Sequence, residues 1–366
     1  MTKLRVGLDA TPLTKPKAGI GVYIYHLLEE LLKVKTDCEF FLYAQAKEGD
    51  LAYFEQFPNV TIRTNSLLSQ SHSVWAQTTL AFLLSKDKID AFWATNQSFP
   101  LLKRKEMKVL FTLHDFVYKL YPKTVSSLKC MIQRALTPSM IRRADYLLTN
   151  SKGTAARLKE YYGVEHHAIV EPPIKPWLKP IDLSLLRNWL SQKGLTYKGY
   201  LLTVGTIEPR KNFETILGAF SLVADQALPL VIIGGEGWKH TRIMTLLENL
   251  KEKYPKKIIL TGYAQEEDQW HYIAGARYLV MMSHYEGYGL PIAEARTCGT
   301  EIVCSDVPEM REAALERGIF LPKENLANQL APYFLPGDDK VAKPENRYPT
   351  NREKVQPVAA ILDKIK

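Results

Sequence analysis

The stretch SHYEGYGLPIAEA, Ser283 to Ala295, carries two glutamates, Glu286 and Glu294, on either side of a turn rich in glycine with one proline. Glu286 follows the apolar run YLVMMS, so it is presented on a loop where a strand ends. A carboxylate there can accept hydrogen bonds from sugar or ribose hydroxyls. Pro291 suits the first position of a helix, because it has no N–H to leave unsatisfied and its φ is preset. The N–H groups of Gly289 and Leu290 would then stand at a helix N-terminus and form an anion site. Glu294 falls in or just after that first turn, where a carboxylate also complements the helix dipole by a few tenths of a kcal/mol.

A second constellation is VGTIEPRKNFETILGAF. Arg210 and Lys211 stand at the N-terminal end of a helix that starts near Asn212. The dipole there already carries about half a positive charge, so two cations are misplaced unless an anion binds between them. Exposed N–H groups, a guanidinium and an ammonium together would hold a diphosphate. The alternative is two solvated cations beside Glu208 and Glu214. In the N-terminal half, Gly19 and Gly21 flank a strand-to-helix turn after Asp9, loose enough for backbone N–H groups to approach a phosphate. His114 and Asp115 end the apolar run KVLFTLHD, again at a strand terminus. The chain has no G-x-S-x-G elbow, no P-loop, no H-E-x-x-H and no Asp-x-Asp pair, so no metal is expected. Cations, amides and carboxylates aimed at an anion are the equipment for stabilising a departing diphosphate.

These groups need elements to position them. Short apolar runs (LRVGLD, CEFFLYA, VTIRT, DAFWAT, KVLFTLHD, YLLTNS, AIVEPP) alternate with helical stretches such as GVYIYHLLEELLKV and SKGTAARLKEYYG, where Ser151 can cap the first turn. A proline-dense crossover, EPPIKPWLKPIDL, interrupts the pattern. The alternation then restarts with YLLTVG, LPLVIIGG, KKIILTG, YLVMMS, EIVCSD and GIFLPK. The fold class is α/β: two doubly wound parallel sheets with a cleft between them and functional residues just after strand ends. The expected boundaries are an N-terminal domain over 1–175, a linker over 176–198, a second domain over 199–340, and a polar tail with a last helix over 341–366.

The length of 366 residues suits two domains at ~150 each. The start lacks a signal-peptide core and no window approaches ~18 apolar residues, which predicts a cytoplasmic chain without a membrane span. Four scattered cysteines match no zinc spacing and are expected as reduced core residues. The net charge of +9 is concentrated: residues 101–160 hold thirteen Lys/Arg against four Asp/Glu, an excess of nine. Such a segment suits an anionic membrane surface, a phosphorylated lipid or nucleic acid, or is simply a solvated face. A nucleic-acid or anionic-surface binder without enzymatic activity is therefore a rival reading. The segment lacks the aromatic–basic interleaving of single-strand binders, so no nucleic-acid partner is expected.

Together, VGTIEPRKNFETILGAF, VIIGGEGW, LTGY, SHYEGYGLPIAEARTCGTEIVCSDVPEMRE and the N-terminal GIGVYIYHLLEEL resemble the retaining family-4 glycosyltransferases of the GT-B fold, in particular the mannosyltransferase-like members of polysaccharide and O-antigen biosynthesis. The resemblance spans Arg5 to about Pro322. It implies an acceptor-binding N-terminal Rossmann-like domain and a donor-binding C-terminal one. It implies that Arg210 and Lys211 bind the donor diphosphate, that Glu286 lies near the transferred sugar's hydroxyls, and that Glu294 binds the ribose. Gly289 and Leu290 match the turn whose amides meet the phosphates, His114 a histidine near the reacting sugar, Gly19 and Gly21 the flexible turn near donor and acceptor, and Asp9 a residue near the acceptor. Tyr288 conforms to the family, whereas Glu301 stands where a proline is common, and NREKVQPVAAILDKIK is a reduced form of the family's last helix. The implied reaction is metal-independent, cofactor-free hexosyl transfer, from GDP-mannose or alternatively a UDP-hexose, to a glycan or polyprenyl-diphosphate-linked acceptor. The basic segment then implies peripheral contact with the inner face of the cytoplasmic membrane.

Overall fold

The computed structural model describes residues 3–14, 19–67, 71–124, 127–175, 177–178, 181–237, 240–337 and 349–366. The polar stretch expected ahead of the last helix lies outside them at 338–348, as do Pro176 and Pro180 of the crossover. The chain divides into two compact units. One comprises Met1–Lys119, Ser127–Pro173 and Pro349–Lys366, and the other Leu120–Ser126 and Ile174–Tyr348.

The first unit is built on β1 (Leu4–Asp9), β2 (Cys38–Ala44), β3 (Val60–Thr64), β4 (Ala91–Ala94), β5 (Lys108–Leu113), β6 (Tyr146–Thr149) and β7 (Ala168–Ile169). They pair in parallel in the order β3-β2-β1-β4-β5-β6-β7. Several strands are apolar along their whole length because helices cover both faces of such a sheet; β4 is buried at every residue. The order reverses between β1 and β4, so the crevice of this sheet lies beyond Asp9. The helix Ile20–Val34 covers one face and buries Leu27, Leu28 and Leu31. Ser151 caps the helix Lys152–Tyr162 as expected, its Oγ accepting from Thr154 N at 2.9 Å.

The second unit repeats the plan with β8 (Leu201–Val204), β9 (Leu230–Ile233), β10 (Ile258–Gly262), β11 (Tyr278–Met281), β12 (Glu301–Ser305) and β13 (Ile319–Leu321). The parallel order is β10-β9-β8-β11-β12-β13, reversing between β8 and β11. Apolar clusters fill the two sides of the sheet, one around Leu202, Val231 and Leu279 and the other around Leu201, Ile232 and Val280. All four cysteines are free and buried.

Two segments differ from the expected layout. Much of the 176–198 linker is a helix, Leu183–Gln192, whose Leu186 and Leu190 join the second unit's core. The prolines stop at Pro180, and Asp182 then caps the helix, accepting from Ser184 N and Leu185 N. The last helix, Asn351–Ile365, is part of the first unit. Its Val355, Val358, Ile361 and Leu362 enter the same core as Leu28 and Leu31. Lys354 Nζ donates to Pro172 O at 2.7 Å, and Lys35 pairs with Asp363. A capping box between Thr350 and Glu353 starts this helix. Leu362→Ala should therefore destabilise the first unit by about 2–5 kcal/mol in urea unfolding. A loss below about 1 kcal/mol would show that the helix is only draped on the surface.

Candidate active site

In the second unit the site grows from the carboxyl ends of β8 and β11, the strands at the reversal of order. After β8 the backbone passes very close to the end of β9. A Cβ on Gly234, which has φ +155°, would lie 2.0 Å from Gly205 O, so no side chain fits there. Gly205 N donates to Ile233 O and Ile207 N to Gly235 O, extending the pairing past the strands. The chain then makes a short 3-10 turn, Pro209–Lys211. Asn212, at φ +55°, redirects it into the helix Phe213–Val223.

This turn aims both cations at one carboxylate. Arg210 Nη1 donates to Glu286 Oε2 at 2.8 Å and to Tyr285 O at 2.8 Å. Lys211 Nζ donates to Glu286 Oε1 at 2.6 Å. Arg210 Nη2 donates to Glu208 Oε1, and Glu208 is only 1% exposed. The cations are therefore not solvated surface charges: their side chains are 15% exposed. Burial pushes the Glu286 carboxyl up, but Arg210, Lys211 and a hydrogen bond from Ser283 outweigh it and hold it at about 2. Its pairing adds stability that is complete above the ordinary carboxylate range and is lost as pH falls towards about 2. Lys211 is shifted down by burial, with Arg210 adding to the shift and Glu286 opposing it. Two cations secure the carboxylate, while each cation has only a share of it. Tyr121 steadies the loop before Glu286, donating to His284 O at 3.1 Å and stacking on His284 and Tyr285.

Gly289, at φ +113°, caps the helix Leu290–Thr297, with Pro291 in its second position. The first N–H groups of a helix have no partner within it. Glu294 lies past the first turn and is 5% exposed. Lys175 Nζ stands 3.5 Å from its Oε1, and Gln269 Nε2 donates to its Oε2 at 3.1 Å.

In the first unit, Asp9, Gly19, Gly21 and His114 come to one edge of the sheet. His114 Nε2 donates to Thr95 O at 2.7 Å, which fixes the tautomer and leaves Nδ1 as the acceptor. Burial lowers the His114 pKa, so the ring is neutral near pH 7. Tyr23, on the helix that Gly19 opens, meets the His114 ring edge-on at 4.7 Å. Gly19 has φ +44°, and a Cβ on Gly21 would come within 3.1 Å of Pro12 O. Asp9 is fully buried, and its Oδ2 lies 2.8 Å from His72 Nε2 and 3.4 Å from Asn96 Nδ2. Burial raises the Asp9 pKa, but His72 and Thr11 lower it below the ordinary value. His72 and Asn96 were not among the sequence candidates. Asn96 does carry the strand-end signal, following β4, whereas His72 enters from a helix that no motif marks. Among the described residues, no group of three or more His, Cys, Asp or Glu could hold a metal ion.

Residues 18–174 match the family model for glycosyltransferase family 4, and residues 189–333 match that for glycosyl transferases group 1. The chain belongs to the glycosyltransferases. It is 27% identical over 341 residues to the O-antigen chain mannosyltransferase B of Escherichia coli, covering 86% of each protein. HepE from Anabaena, solved in complex with UDP and glucose, is similar at TM-score 0.68 and 15% identity, over 99% of this chain and all of that one. Sucrose-phosphate synthase from Thermosynechococcus elongatus is similar at TM-score 0.69 and 17% identity, over 99% of this chain and 97% of that one. Both likenesses establish the GT-B fold for this glycosyltransferase. If Lys211 carries the charge on which turnover depends, the alkaline limb of the enzyme's kcat/KM profile is expected below the ordinary lysine range and moves up in Lys211→Arg, because burial shifts Lys211 down. A limb that stays in place would remove Lys211 from the rate-determining charge.

Proposed function

We propose that this glycosyltransferase moves a mannosyl unit from GDP-mannose to a hydroxyl of a growing glycan or polyprenyl-diphosphate-linked acceptor, with retention at the anomeric carbon. The observation that carries the reading is the convergence of Arg210 and Lys211 at the reversal point of the second sheet. Arg210, Lys211 and the amides of Gly289 and Leu290 would hold the diphosphate, Glu286 the sugar hydroxyls and Glu294 the ribose. The kinship with an E. coli O-antigen mannosyltransferase supports mannose and a polysaccharide acceptor.

In this mechanism the bond between the anomeric carbon and the diphosphate oxygen breaks, and its electron pair goes to that oxygen. The cations and amides stabilise the charge, so neither a cofactor nor a metal is part of the proposal. The acceptor oxygen forms the new bond on the same face, and its proton passes to the departing phosphate. Both oxygens of Glu286 are engaged by Arg210 and Lys211 rather than left open for attack, which supports front-face attack. In the first unit, neutral His114 would accept a hydrogen bond from the reacting sugar. Asp9, with His72 and Asn96, would orient the acceptor, while Gly19 and Gly21 keep the adjoining turn loose.

The basic segment supports peripheral contact with the inner face of the cytoplasmic membrane. Leu102, Leu128 and Met131 are 83%, 64% and 62% exposed, and Lys105, Arg142 and Arg143 are exposed in the same segment. Among the described residues no helix is long and apolar enough to cross a membrane. Other cations of the segment are used internally: Lys103 and Lys108 pair with Asp145, and Arg134 donates to Tyr118 O.

Lys211→Ala and Glu286→Ala should each lower turnover by at least about 100-fold with the fold intact, as loss of a transition-state charge contact does. Near-normal turnover in either variant would sink the assignment. A thermal-shift screen against GDP-, UDP-, ADP- and dTDP-sugars should single out GDP-mannose. Selective stabilisation by a UDP-hexose would move the donor, and binding to random DNA without any nucleotide sugar would overturn the enzyme reading. Sedimentation with phosphatidylglycerol vesicles should be strong at low salt and fade at about 0.5 M. Binding indifferent to salt would contradict the electrostatic contact.

A further inference from the structure

Lys175 has no part in the reaction described above, yet it is among the most buried cations of the second unit. Its side chain is 7% exposed. It sits in the crossover just after Pro173, the last residue of the first unit's central segment. Ile174 and Leu178 on either side enter the second unit's core, and Leu178 N donates to Lys175 O at 3.0 Å. The turn therefore fixes the lysine backbone rather than letting the side chain roam. Its ammonium stands 3.5 Å from Glu294 Oε1 and 3.9 Å from Glu266 Oε1. Gln269, on the helix Glu266–Gly275, reaches the other Glu294 oxygen.

A carboxylate as buried as Glu294 pays a desolvation cost for staying ionised. Burial raises its pKa, Lys175 pulls it back and Glu266 opposes Lys175. Lys175 and Gln269 each hold one oxygen of the carboxylate, which fixes the plane from which its remaining lone pairs can accept from two neighbouring hydroxyls.

We infer that Lys175, with Gln269, is the positioning pair that holds Glu294 oriented to accept both ribose hydroxyls of the donor nucleotide. The inference rests on the assignment of Glu294 to the ribose proposed above. Lys175 itself touches no reacting atom. Its contribution is selectivity for a ribonucleotide.

The test compares affinity for GDP with that for 2′,3′-dideoxy-GDP, with the UDP pair run in parallel, in the wild-type chain and in Glu294→Gln, Lys175→Met and Lys175→Arg. Two hydrogen bonds to a carboxylate predict that the wild type prefers the ribonucleotide by at least roughly 100-fold. Glu294→Gln should lose most of that preference. Lys175→Met should lose it to a similar extent, with the loss falling on KM for the donor sugar rather than on kcat, and Lys175→Arg should restore part of it. If Glu294→Gln keeps the preference, the ribose assignment of Glu294 fails. If Glu294→Gln loses it while Lys175→Met keeps it, the assignment stands and the role of Lys175 is overturned. Lys175→Gln, which keeps a polar head in the pocket, decides the matter by the same comparison should the methionine variant not fold.

Discussion

The Glu286 carboxylate, held between Arg210 and Lys211, is the interaction around which the second unit is arranged. Two cations and two carboxylates, counting Glu208, are largely withdrawn from water there. Each buried ion costs several kcal/mol in desolvation, and only close pairing offsets it. That pairing requires the loop after β8 to meet the loop after β11 within hydrogen-bond distance. Parallel strands that are neighbours at the reversal of sheet order bring two such loops together at their carboxyl ends. The contact of Gly234 with Gly205 then holds the β8 loop against the end of β9, so the turn bearing the cations has little freedom to shift. The sheet order, the two glycines and the αL residue Asn212 all serve the geometry of one carboxylate.

The first unit meets the same topological constraint with different chemistry. Its crevice edge is organised mainly by hydrogen bonds: His114 to Thr95 O, Thr95 Oγ1 to Asp9 O, and Asn96 to Asp9. His72 against Asp9 is the ion-pair contact of this edge, and His72 keeps 27% of its side chain exposed. The contrast is physical. A compact set of fixed opposite charges suits a diphosphate, whereas neutral imidazole and amide groups suit hydroxyls, which both donate and accept.

Much of this was legible in the sequence, and the reasons separate what was from what was not. The strands stand out because parallel strands buried on both faces read as unbroken apolar runs, as FFLY in β2 and LVII in β9 do. Arg210 and Lys211 stand out because cations at a helix start violate a local electrostatic rule, which marks them for a tertiary purpose. Glu286 announces its loop but not its partners. Lys175, Gln269, His72 and Asn96 break no local rule, and their roles exist only once distant segments meet. Lys175 reaches Glu294 across more than a hundred residues, and it stands at the end of what reads as the N-terminal domain, although the second unit already begins at Ile174. The last helix was legible as a helix, but its docking on the first unit depends on a groove that no local pattern describes.

The ion pairs around Glu286 also bear on how such a site can act on a diphosphate. Arg210 is held by Glu208, by Tyr285 O and by Glu286 together, which sets its guanidinium plane. Glu208 and Glu286 balance Arg210 and Lys211, so the proposed hold on a diphosphate rests on aligned short-range donors more than on net charge. As charge builds on a leaving oxygen, donors already aligned respond without reorganising. Under the proposed assignment, such donors would favour the charge-separated state over the resting one, which is the condition for raising turnover rather than only tightening binding. Carboxylates beside an anion-binding pair thus do not oppose the chemistry. They keep two cations buried and oriented, and Glu286 opposes the downward shift that burial imposes on Lys211.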